Sequence, residues 1–229
     1  MRQTKLLPHL RSPNGEHLVV SALASELPEA LPETVLFTGV GKVNATYSLT
    51  RYLAGHPEIR TIINYGTGGG AHKVEMGKLY RCTTFLQGDI DCGQLTDGPG
   101  ITFGDDVSVA GVINYGDEGL ICRTQDQFVT DVGALDMLQH IMEDNKFNIV
   151  DMEAYALAKV CASMGKDFYC YKYISDDAND GASDEWYDNV SKGEPLFYEI
   201  LKKQLIMKNI ITEEDWLSWK NEVHLDFTR

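Results

Sequence analysis

Residues 149–180 read IVDMEAYALAKVCASMGKDFYCYKYISDDAND, and this stretch carries the pattern that decides the fold. A short apolar strand at its start leads into a helix that ends at Gly165, because glycine commonly terminates helices. Phe168–Ile174 then alternates aromatic and apolar residues, as expected of a buried strand. The apolar positions that recur near the helical period are Met152, Ala156, Leu157, Val160, Cys161 and Met164.

Acidic residues follow both of these predicted strands. Asp151 and Glu153 lie where the first strand turns into the helix, and Ser175, Asp176 and Asp177 directly follow the second strand. The carboxyl ends of strands line the ligand crevice in an open α/β sheet, so acids placed there are suited to proton chemistry. Taken alone, an acidic pair is more often a solvated turn, and the case for a site depends on the rest of the chain.

The remainder of the chain alternates strands and helices in the same way. This alternation predicts an α/β protein with three α/β/α layers around a central mixed, mostly parallel sheet. We expect residues 1–16 to form an N-terminal arm, residues 17–229 to form one domain, and residues 180–194 to form a loop. The other predicted elements are strands at 17–22, 34–38, 61–64, 79–86 and 119–122 and helices at 42–55, 134–142 and 195–206, with a last helix capped by Thr212 and Asp215.

Composition excludes several classes of protein. The chain has 229 residues and a formal net charge of −14, which disfavours binding to nucleic acid or to anionic membranes. Its apolar runs are shorter than the roughly 20 residues that span a bilayer, and its N-terminus has no secretory signal pattern, so a cytoplasmic protein is expected. The five cysteines are widely spaced without metal-ligand pairing, which predicts buried free thiols and no metal site.

Two glycine-rich segments admit competing interpretations. Residues 66–71 fit the GxGxxA form of the dinucleotide fingerprint, but a short polar segment follows them where that motif requires a helix. Residues 39–42 lack the spacing and the Ser or Thr of a phosphate loop. Tight turns at strand ends explain both segments, and the reading as a redox or dinucleotide enzyme depends on the first alone.

Six short segments, in their order along the chain, resemble the nucleoside phosphorylase and nucleosidase superfamily. The resemblance covers about residues 17–201 and is closest to the branch of methylthioadenosine/S-adenosylhomocysteine nucleosidases. It implies a purine nucleoside as substrate, no metal or organic cofactor, and a homodimer or larger oligomer. The matching segments are Ser21–Glu26, Gly39–Val43, Asn64–Gly69, Asp126–Val129, Val150–Ala154 and Ile174–Asp176.

Cleavage of a purine N-glycosidic bond makes three chemical demands. The base must receive a proton, the oxocarbenium-like sugar must be stabilised, and water must attack the anomeric carbon from the opposite face. The resemblance implies that Asp176 is the general acid to the purine N7, with Ser175 orienting it. It implies that Glu26 holds or activates the water. A carboxyl group that donates a proton near neutral pH needs a pKa raised by burial or by neighbouring acids.

The same resemblance assigns residues to the sugar and the base. Glu153 is expected to hydrogen-bond the ribose hydroxyls, with Met152 beneath the sugar. Phe128 is expected to stack on the base, and the backbone of Val129 to read the adenine edge.

Four further residues match family positions less directly. Thr67 and Lys172 match positions near the water, where Lys172 replaces an arginine. Trp186 and Tyr187 lie where the family places an aromatic residue near the 5' substituent. They predict a pocket that either holds an apolar 5' group or is narrowed to a plain 5'-hydroxyl.

Hydrolysis is favoured over phosphorolysis because fixed cationic donors for phosphate are missing. The hexameric phosphorylase branch has an arginine three residues before the serine of its glycine-rich loop, and Asn64 occupies that place before Thr67. The alternatives are a phosphate-dependent purine nucleoside phosphorylase, a nucleosidase for a futalosine-like or ordinary purine nucleoside, and a non-catalytic nucleoside-binding protein on the same fold.

Overall fold

The computed structural model describes residues 16–28, 35–96, 100–104, 111–136, 147–207 and 212–214. These residues form a sheet of eight strands, five α-helices and a short 3-10 turn at Gly93–Leu95. The strands are β1 (His17–Ser21), β2 (Val35–Phe37), β3 (Thr61–Gly70), β4 (Leu79–Gln87), β5 (Val112–Asn114), β6 (Leu120–Thr124), β7 (Ile149–Asp151) and β8 (Asp167–Asp176). The helices are α1 (Lys42–Gly55), α2 (Val132–Asp136), α3 (Ala154–Ser163), α4 (Ala182–Asn189) and α5 (Glu194–Met207).

The sheet runs in the order β2-β1-β3-β7-β6-β4-β5, and β8 pairs with both β3 and β4. Strands β3, β8, β4, β6 and β7 therefore close into a ring. The pairs β1–β2, β1–β3, β3–β8, β4–β6 and β6–β7 are parallel, whereas β3–β7, β4–β5 and β4–β8 are antiparallel. The prediction of a mixed, mostly parallel sheet is confirmed.

Alternation along the central strands places helices on both faces of the sheet. Ile62 and Cys170 pack in the apolar cluster that contains the buried residues of α1 and α3. Their chain neighbours Ile63 and Tyr171 pack in a second cluster with Phe197 of α5. Because successive strand residues point to opposite faces, the two clusters lie on opposite sides of the sheet. This arrangement confirms the three-layer α/β/α prediction.

Strand β3 extends further than the sequence predicted. The expected strand ended at Asn64 and opened into a glycine-rich loop, but the strand continues to Gly70 and pairs with β7 and β8. A Cβ atom on Gly68 would lie 2.8 Å from Ile149 Cγ2 and 3.0 Å from the Val150 carbonyl oxygen. Glycines are therefore required here because neighbouring strands pass too close for a side chain.

The predicted loop at residues 180–194 is wrong, because Ala182–Asn189 form helix α4. Asp184 and Glu185 lie in the first turn, where negative charge is favourable to the helix dipole. Ala182 is fully buried, and the Asn189 side-chain amide donates to the Ser175 carbonyl oxygen at 2.8 Å. These contacts with the sheet stabilise a helix that is short and mostly polar in sequence.

Several predicted elements lie outside the described residues. Only Glu16 of the arm at residues 1–16 is described, as are only the first residues of the helices predicted at 134–142 and from Thr212. Within the part of the chain that the structure covers, no helix combines the length and the apolar character needed to cross a membrane.

Candidate active site

A cavity of about 210 Å³ opens where the carboxyl ends of β1, β7 and β8 meet the glycine-rich half of β3. Nine of the eleven residues that the sequence predicted for the site contribute to its wall. They are Glu26, Thr67, Phe128, Val129, Met152, Glu153, Ser175, Asp176 and Trp186.

Glu26 is held in place by a dense set of hydrogen bonds. Its Oε2 atom accepts from Ser21 Oγ at 2.8 Å and from the backbone nitrogens of Ala22 and Leu23 at 3.1 and 3.0 Å. Its Oε1 atom accepts from the backbone nitrogen of Thr67 at 2.7 Å and from Thr67 Oγ1 at 2.9 Å. The turn after β1 and strand β3 thus fix both oxygens of a carboxyl group that is 4% exposed.

Asp176 is the last residue of β8 and has fewer donors. Its Oδ2 atom accepts from Ser175 Oγ at 2.8 Å, and its Oδ1 atom accepts from the backbone nitrogen of Ala178 at 3.1 Å. Burial raises the pKa of Asp176 above its usual range, and the negative charges of Glu185 and Asp177 act in the same direction. The pKa of Asp176 is therefore shifted in the direction that a proton donor needs.

The two carboxyl groups contact β3 at different points. A Cβ atom on Gly66 would lie 3.3 Å from Glu26 Oε1, and one on Gly69 would lie 2.8 Å from Asp176 Oδ1. Strand residues rise about 3.3 Å each, so these contact points are on the order of 10 Å apart. The glycines let both carboxyl groups approach the strand while leaving space between them.

Glu153 lies at the start of α3 and reaches across to α1. Its Oε1 atom accepts from the backbone nitrogen of Gly41 at 2.8 Å. Burial, followed by the nearby charge of Asp151, raises the pKa of Glu153 to about 8. The carboxyl group faces the cavity and is available to polar groups of a ligand.

Asp151 also lines the cavity and accepts hydrogen bonds at the start of α3, next to Glu153. Its Oδ2 atom accepts from the backbone nitrogens of Glu153 and Ala154 at 3.2 and 2.8 Å, and its Oδ1 atom accepts from Thr124 Oγ1 at 2.5 Å. Lys172 Nζ lies 2.7 Å from Asp151 Oδ2 in a buried ion pair. Although burial opposes ionisation, Lys172 and these donors hold the pKa of Asp151 below its usual range.

Lys172 and Tyr187, the other two predicted residues, do not belong to the cavity lining. Lys172 is 1% exposed and lies behind the cavity, with Nζ about 3 Å from where a Gly66 Cβ atom would be. Tyr187 is 75% exposed and packs edge-on against Trp186, with ring centroids 5.2 Å apart. Each of the two nevertheless contacts a residue of the cavity lining. Lys172 pairs with Asp151, and Tyr187 packs against Trp186.

The loop that carries Phe128 and Val129 is tied to the start of α1. Asp126 Oδ1 accepts from the backbone nitrogen of Lys42 at 2.7 Å, and Lys42 Nζ lies 3.3 Å from Asp126 Oδ2. Gly41 has φ of 95°, and a Cβ atom there would lie 3.1 Å from Asp126 Oδ1. The glycine thus permits a close contact that fixes the loop beside the cavity.

Sequence reasoning missed part of the wall and part of its support. The cavity is also lined by Leu23, Val40 and Gln127, and Asp151 was identified without a role. A signal for Asp151 existed, because a carboxylate just before a helix commonly accepts from the first free backbone N–H groups. Val40 and Gln127 lie within two of the segments that carry the family resemblance, Gly39–Val43 and Asp126–Val129, but neither residue was given a role.

The arrangement combines carboxyl groups in different environments with apolar and aromatic walls. Such a site can donate a proton at one point and accept one at another. Among the residues that the structure describes, no group of three or more His, Cys, Asp or Glu side chains is placed to hold a metal ion.

Comparison with protein families gives one match over most of the chain. Residues 5–205 match the model of the phosphorylase superfamily. A 5'-methylthioadenosine/S-adenosylhomocysteine nucleosidase of Shewanella halifaxensis is 30% identical over 189 residues, covering 73% of this chain and 80% of the relative. The nucleosidase of the same name from Actinobacillus succinogenes is 30% identical over 198 residues, covering 79% and 83%.

Solved structures share the same fold at much lower identity. A futalosine hydrolase mutant of Helicobacter pylori superposes with a TM-score of 0.70 and 14% identity, covering 82% of this chain and 99% of that one. The 5'-methylthioadenosine/S-adenosylhomocysteine nucleosidase of the same organism gives a TM-score of 0.68 and 15% identity, covering 82% and 98%.

Proposed function

Because this chain belongs to the phosphorylase superfamily, we propose that it hydrolyses the N-glycosidic bond of a purine nucleoside through Asp176 and Glu26. The relatives support nucleoside hydrolysis as the general reaction. The observation that carries the specific proposal is one cavity with two buried carboxyl groups in contrasting environments, Asp176 with a raised pKa and Glu26 held by five hydrogen bonds.

Asp176 acts in this proposal as the general acid. Its proton passes to N7 of the purine as the bond between the anomeric carbon and N9 breaks, so that the base leaves neutral. The bond from Ser175 Oγ to Oδ2 orients the carboxyl group. The electron pair of the broken bond stays with the base, and the sugar gains positive charge.

Glu26 acts as the group that holds and activates the water. The water adds to the anomeric carbon from the face opposite the departing base and passes a proton to Glu26. The products are the free base and the free sugar, and exchange of protons with solvent returns Asp176 and Glu26 to their starting states. A fixed carboxylate favours this step because it need not reorganise during the reaction.

The remaining lining residues recognise the sugar and the base. Glu153 hydrogen-bonds the ribose hydroxyls with Met152 beneath the ring, while Phe128 stacks on the purine and the backbone of Val129 reads its edge. Phe128 is 39% exposed, and a purine stacked on it would cover this surface. No organic cofactor or metal takes part in the proposed reaction.

Water is favoured over phosphate because phosphate needs fixed cations. No Arg or Lys is found among the described residues that line the cavity. Lys172, the nearby buried cation, is engaged by Asp151. Asn64, at the place of the phosphorylase arginine, donates to the backbone carbonyl oxygens of Val20 and Tyr65 at 3.0 and 3.3 Å, within the sheet.

We propose an adenosine derivative such as 5'-methylthioadenosine or S-adenosylhomocysteine as substrate. The apolar lining by Leu23, Met152 and Trp186 suits an apolar 5' substituent. The test is release of free base from 5'-methylthioadenosine, S-adenosylhomocysteine, adenosine, inosine, futalosine and a pyrimidine nucleoside. We expect the wild type to release adenine from at least one adenosine derivative, and Asp176→Asn to release it at least about 10³-fold more slowly. Preferred cleavage of futalosine or inosine would contradict the proposed adenosine derivative as substrate. If no nucleoside released its base, the proposed hydrolase activity itself would be wrong.

A homodimer is also proposed, as the family resemblance implies. Val43 and Tyr47 on α1 are 78% and 63% exposed, which suits an apolar contact between two copies. Light scattering coupled to size exclusion should give twice the chain mass of 25.5 kDa. A single-chain mass at micromolar concentration would contradict the proposal.

A further inference from the structure

Trp186 is joined to the water-activating side of the cavity by a hydrogen bond. Its indole Nε1 donates to Thr67 Oγ1 at 3.0 Å. Thr67 Oγ1 lies 2.9 Å from Glu26 Oε1, and the Thr67 backbone nitrogen lies 2.7 Å from the same oxygen. Trp186, on helix α4, is therefore linked to Glu26 through the hydroxyl group of Thr67.

The direction of this chain follows from hydrogen-bonding chemistry. An indole N–H can only donate, and a hydroxyl group has one hydrogen to give and two lone pairs to receive. Because Trp186 uses one lone pair of Thr67 Oγ1, the Thr67 hydrogen is directed towards Glu26. Without the indole, the hydroxyl group could rotate away and leave Glu26 Oε1 with the backbone donor alone.

Helix α4 is well placed to hold Trp186 in this position. Asn189, three residues further on, donates to the Ser175 carbonyl oxygen at 2.8 Å. Glu185 Oε2 accepts from the backbone nitrogen of Asp177 at 3.1 Å. The helix is thus attached to the end of β8, which carries Asp176, while Trp186 reaches the Glu26 side.

We propose that Trp186 is a positioning residue that acts through Thr67 on Glu26, in addition to forming part of the wall. This inference rests on the proposed function, since it assumes that Glu26 activates the water. The indole N–H fixes the rotamer of the Thr67 hydroxyl group, and the hydroxyl group fixes Glu26 Oε1. The third hydrogen-bonding position of Thr67 Oγ1, its second lone pair, stays open to a water in the cavity.

We call the chain of hydrogen bonds from Trp186 through Thr67 to Glu26 the relay. A double-mutant cycle tests whether Trp186 acts through this relay or only by packing in the cavity wall. We expect Trp186→Phe, which removes the N–H and keeps an aromatic ring, to lower kcat about tenfold with KM changed less than about threefold. Thr67→Val should lower kcat on the order of 30-fold. In the Thr67→Val background, Trp186→Phe should lower kcat by less than about twofold, because the group through which it acts is gone.

Two further variants keep the test independent of ring size. Thr67→Ser retains the hydroxyl group and should restore most of the sensitivity to Trp186→Phe. Site-specific replacement of Trp186 by benzothienylalanine, which has sulfur in place of the N–H group, should reproduce the loss caused by Trp186→Phe. Tyr52→Phe on α1 is the matched aromatic control and should leave kcat within about twofold, and melting temperatures identify any variant that is not folded.

Three results would overturn the relay. The first is an equal loss from Trp186→Phe in the Thr67 and Thr67→Val backgrounds, which would show independent action. The second is a change confined to KM, which would show a wall residue only. The third is full activity with benzothienylalanine. Failure of the proposed function gives a different result, since the wild-type protein would then release no base.

Discussion

The two carboxyl groups of the cavity differ in their surroundings far more than in their burial. Glu26 and Asp176 are 4% and 2% exposed, yet five hydrogen bonds reach Glu26 and two reach Asp176. Burial and neighbouring acids raise the pKa of Asp176. The difference teaches that one sheet edge can place two buried carboxyl groups in unlike surroundings, as the proposed roles of proton acceptor and proton donor require.

The origin of this difference is local. Glu26 follows a turn whose backbone nitrogens at Ala22 and Leu23 point at its side chain, and Thr67 supplies two more donors from β3. Asp176 ends a strand and lies against Gly69, with the Ala178 side chain and Val150 close by. Backbone geometry therefore separates the two roles that the mechanism assigns.

Loss of the acid is expected to have the largest effect. Asp176→Asn should lower kcat for a purine nucleoside by about 10³-fold or more, because the base then leaves without a proton. In the wild type, kcat/KM should fall as the pH rises through the pKa of Asp176, and the raised pKa moves this fall towards neutral pH. Stopped assays of adenine release between pH 5 and 9 measure both effects.

A substrate with a good leaving group sharpens the assignment. A p-nitrophenyl riboside leaves without protonation, so Asp176→Asn should cleave it within about tenfold of the wild-type rate. A loss on this substrate as large as that on the nucleoside would contradict the role of Asp176 as acid.

Loss of Glu26, the proposed water-activating group, is expected to have the second-largest effect on kcat. Glu26→Gln is expected to lower kcat by about 10²-fold to 10³-fold on both the nucleoside and the p-nitrophenyl riboside, because each reaction needs an activated water. The comparison of the two substrates is the measurement. If Glu26→Gln cleaved the p-nitrophenyl riboside at close to the wild-type rate, Glu26 and not Asp176 would be the general acid.

Strand ends and helix caps have local signals, which is why the sequence alone predicted the layers. The resemblance to the nucleosidase branch, and not a local signal, supplied most of the residues that line the cavity. Sequence reasoning missed the continuation of β3 to Gly70 and the helix α4, because contacts distant in the chain determine both. The same limit applies to Lys172, which matches a family position near the water but pairs with Asp151. A short motif identifies a position, whereas the neighbours on other strands determine what its side chain contacts.

The contribution of the buried ion pair between Lys172 and Asp151 to stability can be tested by substitution. Lys172→Met leaves a buried carboxylate without its cation, and we expect the free energy of unfolding to fall by about 4 kcal/mol. The double variant, with Asp151→Asn added to Lys172→Met, should recover part of that loss. The control Lys203→Met, on the exposed side of α5, should lower the free energy of unfolding by less than about 0.5 kcal/mol. Urea denaturation measures all four proteins, and equal losses from the two lysine variants would contradict the buried pair.

The smallest expected effect concerns Glu153 and pH. Its pKa of about 8 in the folded protein exceeds its ordinary value of 4.5, so its contribution to stability is lost as the pH rises towards 8. Glu153→Gln cannot ionise, so the stability of the variant relative to the wild type should increase by roughly 3 kcal/mol between pH 5 and 8. Parallel pH profiles of the two proteins would show that Glu153 titrates normally.

The most direct test of the central claim is the identity of the sugar product formed from 5'-methylthioadenosine in the presence of phosphate. Phosphorus NMR and mass spectrometry distinguish free methylthioribose from its 1-phosphate. We predict free methylthioribose and adenine at a rate independent of phosphate. Formation of the 1-phosphate, only when phosphate is supplied, would contradict attack by a water that Glu26 activates.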